Sequence, residues 1–149
     1  MSILYYTHFR NLVGVQLELE VAYNYYRCSI VDYLGNIDGV PIGISVTRAF
    51  SYFGEFSDDD AIRLMTKKLG GLERAIVNGR DFDRGLLHVL VPNISIAKMC
   101  AAAIPVVKQN CELDDSLMVQ ITICDESKVY FEQKGDAMEL ASRPLISHL

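Results

Sequence analysis

From Val13 to Val21 apolar and polar residues alternate without a break, with Val13, Val15, Leu17, Leu19 and Val21 set against Gly14, Gln16, Glu18 and Glu20. A period of two puts the two sets on opposite faces of an extended chain and predicts a strand. A helix through Glu18 to Tyr26 competes for part of this segment, because Leu, Glu and Ala are good helix formers. Arg27 to Leu34 (RCSIVDYL) is rich in β-branched and aromatic residues, Gly35 to Gly39 (GNIDG) is a turn cluster, and Val40 to Phe50 (VPIGISVTRAF) is a further β run. Two β runs around a short Gly/Asn/Asp loop predict a hairpin.

The period changes at Ser57-Asp58-Asp59-Asp60, a helix start with acids in the first turn. Ile62, Met65, Leu69, Leu72 and Ile76 follow at spacings of 3, 4, 3 and 4, which is one buried helix face. Gly70-Gly71 is expected to kink or split this helix, and Asn78-Gly79 to end it. Leu86 to Val91 (LLHVLV), bounded by Gly85 and Pro92-Asn93, is a nearly continuous apolar run of strand length. Such a run predicts a central strand covered on both faces and parallel to a neighbour. Ile94 to Ala103 reads as a second helix that Pro105 stops or bends. Leu117 to Cys124 and Val129 to Gln133 read as a β pair around Asp125-Glu126-Ser127, and the tail from Gly135 as a short helical stretch before Pro144. The expected fold class is therefore α/β: a mixed central sheet built from a β-meander and then α-β-α-β, with helices on its faces and the first helix a right-handed crossover.

The chain has 149 residues, the size of one domain, and neither a repeat nor a linker divides it, so residues 1–149 are read as a single domain. Half the residues are hydrophobic and 22% are charged, which excludes a disordered or fibrous chain. Fourteen Lys and Arg against nineteen Asp and Glu give a net charge of −5. That demotes bulk phosphate binding, since tight duplex binders are usually basic. The excess is C-terminal: residues 85–149 carry five basic and eight acidic groups, whereas residues 58–84 carry six of each. Any nucleic-acid surface is thus expected to be local and to lie toward the N-terminus.

Cys28, Cys100, Cys111 and Cys124 form no CxxC or CxxH, so reduced, buried thiols are expected rather than a zinc site or redox pair. The N-terminal MSILYYTHFRN lacks an apolar run followed by a cleavage site, and His88, Pro92, Asn93, Lys98 and Pro105 interrupt the most apolar stretch. A soluble, intracellular protein without a membrane partner is expected. Ser147-His148-Leu149 resembles a peroxisomal address of the SKL type, but a chance tail is the favoured reading of three residues.

No GxGxxG, GxxxxGK[ST], GxSxG, HExxH or EF-hand spacing occurs, and Asp58-Asp59-Asp60 reads as a solvated helix cap. Chemistry is left to the hairpin. Asp32 lies on one strand, and thirteen residues later the next strand carries Ser45-Val46-Thr47-Arg48. Positions 45 and 47 share a strand face and point toward Asp32 across the hairpin. This arrangement resembles the PD-(D/E)xK, or restriction-endonuclease-like, nuclease superfamily over Val13 to Val91. In that family an Asp on one strand and an acid-x-Lys triplet on the next hold Mg²⁺ and steer the attacking water. The resemblance implies Asp32 and Glu20 as metal ligands, with Ser45 and Thr47 standing where the family has an acid and a lysine. Neither hydroxyl replaces a charge at a Mg²⁺ site, so the resemblance implies a nuclease fold that has lost catalysis, with no cofactor, and works as a binding or assembly module in a nucleic-acid-related complex. The rival reading is an active Mg²⁺-dependent nuclease whose acid is Glu20 and whose lysine is recruited from the helix after Asp58. A third is an oligomeric protein-interaction module.

Arg48, Arg63, Lys67, Lys68 and Arg74 are the candidate nucleic-acid contacts, with Arg63, Lys67 and Arg74 on one helix side. Tyr5, Tyr6, Tyr23, Tyr25, Tyr26 and Tyr33 crowd the first 33 residues. They suit either the filling of a twisted meander or an interface, for which a homodimer is the expected partner.

Overall fold

The hairpin turns at Asp38-Gly39, the dipeptide best suited to a two-residue turn. Both residues take positive φ, 51° and 81°, as the type I′ turn requires. In the computed structural model, which describes residues 12–17, 30–51, 54–124 and 142–148, this turn joins β2 (Tyr33–Ile37) to β3 (Val40–Arg48). Gly35, Asn36 and Ile37, expected in the loop, are ladder residues instead. Gly35 serves close approach: a Cβ there would lie 2.3 Å from Leu12 Cδ1. The strand expected from Arg27 starts only at Tyr33, and residues 27–29 lie outside the described residues.

Among the described residues six strands form one sheet in sequence order. β1 (Val13–Leu17), β2 and β3 make an antiparallel meander. β3 then runs parallel to β4 (Arg84–Val91), β4 parallel to β5 (Leu117–Ile123), and β5 antiparallel to β6 (Ser142–His148). The apolar run at Leu86 is central and parallel to both neighbours, and every residue from Gly85 to Val91 is buried. The mixed α/β sheet matches expectation, but the partner of β5 does not. Val129 to Gln133 and residues 135–141 lie outside the described residues, and Ser142–His148 is a strand where a tail was expected. Pro144 falls at the irregularity between the Ser142↔Ile123 and Leu145↔Ile121 pairs, on a strand that pairs on one side only, where proline is tolerated. Ser147 and His148 pair with Val119 and Met118.

α1 (Asp58–Asn78) is continuous through Gly70-Gly71. Its start is fixed by a capping box in which Ser57 Oγ accepts the Asp60 N–H at 3.2 Å and Asp60 Oδ2 accepts the Ser57 N–H at 3.0 Å. Ala61, Met65, Leu69, Leu72 and Ala75 are buried along one face, and this burial outweighs the low helix propensity of two glycines. α2 (Ile94–Cys111) runs through Pro105 rather than stopping there. Ala103, Ile104 and Val107 are buried on either side of the exposed proline and hold both flanks in place.

Among the described residues the two helices, α1 and α2, lie on one face of the sheet and against each other. Their buried residues pack with Leu87, Val89, Val91, Leu117, Val119 and Ile121. Gly43 and Gly85, partners across the β3–β4 ladder, admit this layer closely. A Cβ on Gly85 would lie 2.8 Å from Leu72 Cγ, and one on Gly43 would lie 2.5 Å from Phe82 Cε2. A second, smaller cluster (Leu12, Tyr33, Ile42, Ile44 and Leu86) sits on the opposite face. β1 alternates as expected at Val13, Val15 and Leu17, but all five of its residues are exposed. Residues 18–21 of the expected strand lie outside the described residues. Among the described residues no helix is long and apolar enough to cross a membrane.

Candidate functional site

Asp32 immediately precedes β2. Its N–H donates to Ile44 O at 2.9 Å, and its Oδ2 accepts the Val46 N–H at 2.6 Å. The ladder geometry explains this bond. An antiparallel partner exposes N–H groups at every second residue, and the one on Val46 falls just past the first paired residue of β2. The carboxylate takes the place of the missing backbone carbonyl. Ser45 and Thr47 lie across the β3–β4 ladder from Leu87 and Val89, on the face covered by the helices. Ser45 is half-buried, and Thr47 is buried at 8% exposure.

The structure thus engages Asp32 on the β3 backbone at Ile44 and Val46 and leaves Thr47 under the helical layer. Glu20 lies outside the described residues. Among the described residues no three His, Cys, Asp or Glu side chains come together in a way that could hold a metal ion. Asp60 of the acidic triplet is engaged in its own cap: the Ser57 hydroxyl and N–H, followed by Arg63, hold its carboxyl below the usual carboxylate range. Lys67 is exposed on α1, away from the buried face that carries Met65 and Leu69, and Lys68 is half-buried.

Of the basic candidates, Arg63, Lys67 and Arg74 share the solvent side of α1. Arg63 pairs with Asp60, and the Arg74 guanidinium lies over Gly70, 3.4 Å from where a Cβ would stand. Arg48 does not join them. It follows Ile42, Ile44 and Val46 on the alternate face of β3, turned away from the helices. Tyr33 is buried in the second cluster, and the other N-terminal tyrosines lie outside the described residues. Cys100 is buried, which pushes its thiol up to about 11, whereas Cys111 and Cys124 are only half-buried; none of the three is in a disulfide. Cys28 lies outside the described residues.

A second polar group is absent from the motif reading. His88 lies beside Gln120 in the β4–β5 ladder, and Thr122 follows two residues on, so all three share the face opposite the helices. Each is buried, at 0, 2 and 3% exposure. His88 Nε2 and Thr122 Oγ1 are 2.9 Å apart, and burial pulls the His88 pKa from 6.5 down to about 4. The signal was present in the alternation of Met118, Gln120 and Thr122 against Leu117, Val119 and Ile121. Only the ladder register sets it beside His88. No protein-family model, curated protein or solved structure matches this chain.

Proposed function

We propose that this chain is a nuclease-like α/β domain without catalysis that serves as a binding or assembly module. The observation that carries the reading is the 2.6 Å bond from Val46 N–H to the Asp32 carboxylate. A carboxylate that completes a backbone ladder is held by a structural task, and its neighbours at 45 and 47 are hydroxyls rather than a second acid and a cation. A Mg²⁺ site draws on several hard oxygen ligands with negative charge among them, and a lysine near the scissile phosphate needs an open cleft. Thr47 lies beneath the helices instead. The sequential order of meander, crossover helix and buried parallel strand supports the resemblance at the level of the fold.

The binding surface in this reading is the solvent side of α1, where Arg63, Lys67 and Arg74 stand in line at helical spacing. The test is incubation of the purified chain with single- and double-stranded DNA and RNA at low salt, with and without Mg²⁺ or Mn²⁺. Salt-sensitive binding without cleavage is expected. Metal-dependent cleavage that disappears in Asp32→Ala would overturn the reading in favour of an active nuclease. Neither binding nor cleavage would leave a protein-interaction module and remove the nucleic acid.

A further inference from the structure

Strands buried on both faces of a parallel sheet are ordinarily apolar throughout. β4 and β5 break that rule at one place, where His88, Gln120 and Thr122 stand together with Val46, Leu86, Leu90 and Met118 around them. Polar side chains this deeply buried keep their place by hydrogen bonding. His88 and Thr122 satisfy each other at 2.9 Å. Gln120 Nε2 is buried and meets no acceptor among the described residues. A carboxamide nitrogen carries two N–H donors, and neither has a counterpart among the described residues.

We propose that Gln120 Nε2 binds the oxygen of a small uncharged molecule, seated on the β4–β5 face with His88 and Thr122 as its polar neighbours. The ligand class follows from the donors. An N–H group requires an acceptor and turns a cation away. An anion at this depth would need a positive partner; burial keeps the His88 imidazole neutral at physiological pH, and Arg48, on the same face of the sheet, is exposed to solvent. What fits is an uncharged oxygen, either that of an internal water or a carbonyl or hydroxyl oxygen of a small neutral solute. Water is the smallest such ligand and commonly satisfies buried polar groups in this way.

The experiment uses the full chain, labelled with ¹⁵N. The side-chain amide pair of Gln120 is assigned by its loss in Gln120→Met, a change that keeps length and apolar bulk but removes the donors. A rotating-frame cross peak between that amide and the water resonance would identify a long-lived internal water. A surplus mass under native ionisation, lost on denaturation and absent from Gln120→Met, would identify a bound solute. Either finding supports the proposal, and the absence of both overturns it. Removing a donor that has a partner lowers Tm, by about 2–4 °C in a domain of this size, whereas removing an orphaned donor raises it. A rise in Tm for Gln120→Met would therefore also overturn the proposal. Should Gln120→Met fail to fold, Gln120→Leu provides the assignment, and the two wild-type measurements decide alone.

Discussion

The carboxylate of Asp32 accepts the backbone N–H of Val46 at 2.6 Å and so extends the β2–β3 ladder by a side chain where the backbone of β2 no longer pairs. A bond of this kind is structural, and it separates two roles for the residue. Asp32→Ala orphans the Val46 N–H and is expected to cost about 1 kcal/mol, with solvent at the exposed carboxylate moderating the loss. Asp32→Asn keeps an acceptor oxygen and should retain most of the stability. Urea unfolding of the two variants checks this, and equal losses would contradict the role.

His88 sets a pH dependence. Its folded pKa, about 4, lies below the unfolded value of 6.5, so the unfolded chain takes up the proton first as pH falls. The contribution is fully present above pH 6.5, declines between 6.5 and 4, and is constant below that. The loss amounts to something on the order of 3 kcal/mol at about 1.4 kcal/mol per pH unit. Denaturant titrations at pH 7.5, 6, 5 and 4 should show the decline, and His88→Gln should flatten it across this window.

Gly43 and Gly85 face each other across the β3–β4 ladder beneath the helical layer. In Gly43→Ala the new Cβ would stand 2.5 Å from Phe82 Cε2 and 2.9 Å from Val31 Cγ1. The expected cost is about 2 kcal/mol, or a Tm lower by about 4–8 °C. Phe82→Leu clears part of that space, so the double variant should lose less than the sum of the singles, a coupling that a thermal double-mutant cycle measures.

Pro105 stands exposed inside α2, where it supplies no N–H to the preceding turn. Pro105→Ala restores that bond and is expected to raise stability by about 2 kcal/mol, less whatever the proline contributes by stiffening the unfolded chain. Calorimetry on the two proteins decides the sign.

If nucleic acid is the partner, Arg63, Lys67 and Arg74 on the solvent side of α1 should carry it. Replacing all three with Gln is expected to lower the slope of log K against log salt by about 2–3. Arg48→Gln, on the other face of the sheet, should leave the slope unchanged when added to the triple variant. Titrations at several salt concentrations make the comparison.

Much of the fold was legible along the chain because its causes are local. Asp38-Gly39 dictates a tight hairpin, Ser57 and Asp60 cap α1, and Leu86 to Val91 is too uniformly apolar for anything but a covered central strand. The misread places were those where packing outweighs local preference. Gly70-Gly71 leaves α1 intact because Met65, Leu69 and Leu72 are buried around it, and Pro105 does not stop α2 because Ala103, Ile104 and Val107 anchor both flanks. Gly35 looked like a turn residue and is a ladder residue that makes room for Leu12.

The sequence by itself determined the α/β class, the meander, the capped crossover helix and the hydroxyls at Ser45 and Thr47, since each depends on residues close in the chain. Tertiary structure alone decided what Asp32 does, because its hydrogen-bond partner is set by where β2 stops pairing with β3. It also decided that α1 and α2 share one face of the sheet, and that His88 and Thr122, 34 residues apart, meet in a buried polar group with Gln120. Register between strands is a long-range property, and only the assembled sheet fixes which side chains become neighbours.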